Sequence, residues 1–94
     1  MFYLGIDVAK AKIDCCLILE NSANKKKTKT FSNTPKGFEQ LQIWLNQHAA
    51  TSTQTIILME ATSIYHELLA KYLFDEGYQV SVTNPARARY FAQS

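Results

Sequence analysis

Ninety-four residues allow one small domain, whose single core has to draw apolar side chains from every regular element. Hydrophobic residues make up 47% of the chain and charged residues 19%, with three Gly and two Pro, which excludes a disordered or fibrous protein. The net charge of +2 does not by itself argue for nucleic acid, no apolar run reaches the roughly 18 residues of a membrane span, and the strand-like start shows no signal-peptide pattern, so a cytoplasmic globular protein is expected.

Phe2 to Val8 is a short apolar run with Asp7 at its end, and Ile13 to Glu20 follows after a polar Ala-Lys-Ala-Lys turn; both are predicted strands. In the second, Ile13, Cys15, Leu17 and Leu19 share one face, while Asp14, Cys16, Ile18 and Glu20 form a mixed face. The adjacent Cys15 and Cys16 therefore point apart and are expected to be free thiols. Asn21 to Asn24 has turn chemistry, and Lys25 to Asn33 is predicted as a third antiparallel strand completing a meander.

Thr34 and Pro35 open a helix, because the Thr oxygen caps a free amide and Pro in the first turn has none to satisfy. Phe38, Leu41, Trp44, Leu45 and His48 line one face of it. After the polar loop Ala49 to Gln54, the apolar run Thr55 to Met59, closed by Glu60, suits a central parallel strand covered on both sides. A second helix follows, capped by Thr62 or Ser63, with Tyr65, Leu68, Leu69, Tyr72 and Leu73 as its buried stripe and Gly77 as its stop. Tyr78 to Thr83 is a last strand, and Asn84 and Pro85 open a final helix.

Three antiparallel strands followed by parallel strands linked through helices give a mixed five-stranded α/β sheet with helices on its faces, the element order of the ribonuclease H fold. The chain is read as one such domain over residues 1–94. Asp7 and Glu60 then leave the core at the ends of neighbouring parallel strands, on one edge of the sheet. Two carboxylates a few ångströms apart repel unless a cation lies between them, and Mg2+ or Mn2+ with oxygen ligands and retained waters would remove the conflict. A pair of such ions supports phosphodiester chemistry. Taken one at a time, the bland readings are an Asp capping a turn and a Glu favouring a helix start.

The segments GIDVAK (Gly5 to Lys10) with Asp14 downstream, FSNTPKGFEQL (Phe31 to Leu41), MEATSIY (Met59 to Tyr65) and NPARARYFAQS (Asn84 to Ser94) resemble, in order, the N-terminal domain of DEDD-type insertion-sequence transposases, a family that includes Piv-type DNA invertases. The resemblance implies a domain similar to Holliday-junction resolvases, in which four acidic residues bind divalent metal; Asp7 matches the first and Glu60 the second. The other two belong to a KTDxxDA-like segment that follows the FAxS element in the family, so these residues carry half of the set. The resemblance also implies DNA as substrate, a guide RNA in several members, and a further domain with a nucleophilic serine; a homo-oligomer is expected separately, from apolar surface that a longer protein would cover. Ser63 departs from the family, which usually has Gly there.

Lys25, Lys26, Lys27 and Lys29 crowd one hairpin, either to meet a phosphate backbone or to protect an edge strand from aggregation. Arg87 and Arg89 are further candidates for nucleic-acid contact. Tyr65 is assigned to the core in preference to the metal edge, and His48 and His66, without Cys or His partners at ligand spacing, to helix surfaces. Two other functions compete: an ATP-binding domain like those of sugar and acetate kinases, and a non-catalytic nucleic-acid-binding module. The first needs small, flexible residues after the strand-end Asp, where this chain has Val8, Ala9 and Lys10.

Overall fold

The computed structural model describes residues 1–19, 25–60 and 64–83. Strands β1 (Phe2–Val8), β2 (Lys12–Leu19) and β3 (Lys26–Ser32) lead into helix α1 (Pro35–Gln47), strand β4 (Thr55–Glu60), helix α2 (Glu67–Asp75) and strand β5 (Gln79–Thr83), with short 3-10 turns at Ser52–Gln54 and Ile64–His66. The sheet order is β3-β2-β1-β4-β5. The first three strands are antiparallel, whereas β4 pairs parallel with β1 and β5 parallel with β4. The fold is the ribonuclease-H-like mixed sheet that the order of elements predicts.

Alternation decides which face is covered. Leu4, Ile6 and Val8 pair with Leu17, Cys15 and Ile13 across the first hairpin, and Leu4 and Ile6 pair with Ile57 and Met59 on the other side; all are buried. Against this face α1 sets Phe38, Leu41, Trp44 and Leu45, and α2 sets Leu69 and Leu73, giving one continuous core. Rings tie the elements together: Phe31 of β3 meets Trp44 of α1 edge-on at 5.7 Å, and Phe38 of α1 meets Tyr72 of α2 at 5.6 Å.

The α1 start is built as its sequence predicts. Thr34 is extended, and its side chain accepts a hydrogen bond from the Gly37 amide at 3.1 Å. Gly37 is there because the first helical turn closes on the end of β3, where an added Cβ would stand 1.9 Å from the Ser32 carbonyl oxygen. At the other end Ala49 takes a left-handed φ of 59°, and the Ala50 amide returns to the Leu45 carbonyl at 2.9 Å.

Three expectations are corrected. The α2 stripe narrows to Leu69 and Leu73 with half-buried Tyr72: Tyr65 lies in the 3-10 turn before the helix and is 43% exposed, and Leu68 faces outward at 71%. His48 and His66 are half-buried, His48 because its ring packs 5.4 Å from Trp44. Strand β4 is covered on one side only among the described residues, since both helices lie on the Ile57 and Met59 side and leave Leu58 52% exposed. The predicted caps Thr62 and Ser63, and the helix expected from Asn84 and Pro85, fall outside the described residues.

Candidate metal-binding edge of the sheet

The face that neither described helix covers carries Asp7, Asp14 and Glu60. Asp7 and Glu60 are Cα partners in the parallel register of β1 and β4, and both are exposed. Equal parity puts their side chains on one face, and adjacent strands lie about 4.8 Å apart, so the two carboxylates start from neighbouring backbone positions. They stand at the carboxyl ends of parallel strands, where open α/β sheets gather their ligand-binding groups.

Their row runs through the whole sheet: Thr30, Asp14, Asp7, Glu60 and Thr83 are successive partners from β3 to β5. Behind it, Gly5 and Leu58 help to floor an open concavity of about 630 Å3 that Asp7, Asp14 and Glu60 also line. Gly5 has nothing within 4 Å of where a Cβ would stand, so it leaves the floor low without being forced to be glycine by a neighbour.

Asp14 is the residue that sequence reasoning left out of the site. A short β1–β2 turn makes residues equidistant from it face one another, so Asp14 opposite Asp7 was a readable consequence of the hairpin. Its carboxylate is engaged elsewhere, however, accepting from Thr30 Oγ1 at 2.6 Å and lying 3.9 Å from Lys12 Nζ. Accordingly, among the described residues no three His, Cys, Asp or Glu side chains converge as a metal-holding group. Two carboxylates suit a hard cation such as Mg2+, which keeps several waters and uses one or two carboxylates together with substrate phosphates.

The basic candidates divide. Lys26, on the exposed edge strand β3, is the partner of Ile18 and shares the acidic face, whereas Lys27 and Lys29 alternate to the helix side. Lys25 and Lys27 border a recess with Phe2, Leu19 and His48, and the Lys29 ammonium lies 5.6 Å from the centre of the Phe31 ring. Arg87 and Arg89 are outside the described residues. Cys15 and Cys16 are free; Cys15 is buried, and burial first, then the neighbouring Asp14 and Cys16, push its thiol up to about 12.

A family model for DEDD transposases of the IS110 type matches residues 4–94. The chain belongs to this transposase family. It is similar to the pilin gene-inverting proteins of Moraxella bovis and Moraxella lacunata, each 34% identical over 92 residues, covering 98% of this chain and 28% of the relative. The chain thus spans about 28% of the length of those curated relatives. Among solved structures it resembles RuvC of T. thermophilus in complex with a Holliday junction substrate, at a TM-score of 0.51 and 12% identity over 96% of this chain and 68% of that one. It also resembles an exopolyphosphatase from Cytophaga hutchinsonii, at 0.58 and 12% over 93% and 35%. Those two likenesses concern the fold, and one sheet evidently serves proteins of different activity, so family membership carries the functional reading. Among the described residues no helix is long and apolar enough to cross a membrane.

Proposed function

We propose that this transposase-family domain supplies the first two metal ligands, Asp7 and Glu60, of a recombinase that cuts and rejoins DNA in a longer protein. The observation carrying the proposal is their pairing at the carboxyl ends of parallel strands, on the face that neither described helix covers. Bound Mg2+ or Mn2+ would polarise the phosphodiester and lower the pKa of an attacking hydroxyl or water. Asp7 and Glu60 would hold the cation from neighbouring strands, and Lys26 on the same face would meet phosphate at the sheet edge. The second pair of acids comes, in this reading, from a segment beyond these residues, so the 94 residues alone are expected to cleave no DNA. Family membership supports DNA as partner, and the proposal extends to a guide RNA, used by several members of the family, and to a homo-oligomer.

The kinase-like alternative meets an obstacle in the backbone after Asp7. The Ala9 amide donates to the Lys12 carbonyl at 2.9 Å, closing the turn, and the Ala9 carbonyl accepts from Asn33. A phosphate-wrapping loop presents its amides outward, whereas the Ala9 amide is turned into the hairpin.

Affinity cleavage tests the site. Fe2+ with ascorbate and peroxide, standing in for Mg2+, is expected to cut the polypeptide beside Asp7 and Glu60, with Mg2+ suppressing the cuts and Asp7→Asn abolishing them. Cuts elsewhere, or saturable binding of ATP by the chain, would contradict the proposal.

A further inference from the structure

Asn33 lies between β3 and α1, in the segment Phe31 to Leu41 that carries part of the family resemblance but no carboxylate of the site. Its amide nitrogen has two N–H bonds, and both are used: one donates to the Ala9 carbonyl at 2.9 Å, the other to the Tyr65 carbonyl at 2.9 Å. Its backbone amide donates to the Ala11 carbonyl at 3.0 Å. Since both side-chain partners are carbonyl oxygens, the nitrogen end of the amide must face them.

Those acceptors are informative. Ala9 opens the turn two residues after Asp7, and Tyr65 belongs to the 3-10 turn that follows Glu60 in the chain. The strand register fixes the Cα atoms of the acidic pair, but Asp7 and Glu60 sit at strand ends, where pairing stops. A single side chain bridges the turn after β1 and the 3-10 turn Ile64–His66.

We propose that Asn33 is a positioning residue for the acidic pair, a clamp that ties the turn after β1 to the 3-10 turn Ile64–His66 and thereby steadies the directions of Asp7 and Glu60. It touches neither carboxylate and acts through the backbone. The inference rests on the metal-site reading above. Mg2+ and Mn2+ sites need their ligands held to within about half an ångström; groups bonded directly to the ligands are commonly worth about 10–100-fold in metal affinity, and a clamp acting through the backbone is expected at the low end of that range.

The test compares Asn33→Leu, neutral and similar in shape, and Asn33→Ala with Thr34→Ala, which removes the neighbouring helix cap but neither clamp bond. Two readouts are taken on the 94-residue chain: backbone carbonyl 13C shifts of Ala9 and Tyr65 without metal, and Mn2+ affinity. Both Asn33 variants are expected to move the two carbonyl signals together and to weaken Mn2+ binding at least about tenfold, while Thr34→Ala lowers the melting temperature without either effect. Carbonyl signals that stay in place, or an equal loss of Mn2+ in Thr34→Ala, would overturn the clamp. A wild-type chain that ignores Mn2+ while both carbonyl signals respond would instead overturn the metal reading.

Discussion

Asp14 stands directly across the β1–β2 hairpin from Asp7, and its carboxylate accepts a hydrogen bond from Thr30 at 2.6 Å. Like charges facing each other on adjacent strands destabilise a sheet by roughly 0.2–1 kcal/mol. Asp14→Asn keeps an oxygen for Thr30, and its loss of the long, exposed contact to Lys12 costs little. Without metal at low salt the variant is therefore expected to be more stable by up to about 1 kcal/mol, the gain shrinking in 1 M salt as screening takes over. Urea denaturation at two salt concentrations measures this. With Mn2+ present the order should reverse, because the variant offers the cation less negative charge.

Two backbone positions next to α1 should respond in opposite directions. Gly37→Ala drives a Cβ into the Ser32 carbonyl and is expected to destabilise by about 1–3 kcal/mol, with strand β3 loosened first. Ala49→Gly relieves a left-handed φ of 59° and is expected to stabilise by a few tenths to about 1 kcal/mol. Chemical denaturation of both variants beside the wild type checks the signs.

The adjacent thiols should behave differently. Cys15 is buried, and its thiol is pushed up to about 12, while half-buried Cys16 helps to line the concavity. At pH 8 a small alkylating reagent is expected to modify Cys16 and spare Cys15 in the folded chain, read by peptide mass spectrometry.

The same thiol sets an alkaline limit. Between its ordinary value of 9.0 and about 12, Cys15 keeps its proton in the folded chain and loses it in the unfolded one. The folded state then binds more protons, so stability falls as pH rises, by about 1.4 kcal/mol per unit. Burial raises Tyr78 and Tyr72 as well, which adds in the same direction. Cys15→Ala should flatten the decline of melting temperature above pH 9, whereas Cys16→Ala, which removes only the last-ranked cause of the shift, should leave most of it in place.

Much of the sheet was legible because its signals are local. The alternation of Leu4, Ile6 and Val8 against Ile13, Cys15 and Leu17 marks the hairpin, and Thr34 with Pro35 marks the start of α1. What escaped was set by tertiary placement. Leu58 and Leu68 are apolar residues in an apolar pattern, and nothing in their neighbours says that the described helices cover the other face of the sheet or that α2 turns Leu68 outward. The lysines of β3 looked like one cluster in sequence, but period-two alternation sends them to opposite faces. Asn33 gave no periodic signal, since its two bonds reach residues 24 and 32 positions away.

Calorimetric titration of the chain with Mn2+ tests most directly whether Asp7 and Glu60 share a cation. Wild-type protein should bind in a saturable way, and metal at about 100 times the dissociation constant should add about 2.7 kcal/mol of stability. Asp7→Asn and Glu60→Gln should each lose most of that binding while remaining folded, and Glu39→Gln on the far side should lose none. Saturable binding that persists in both Asp7→Asn and Glu60→Gln, or a wild-type chain with no response to Mn2+, would contradict the account.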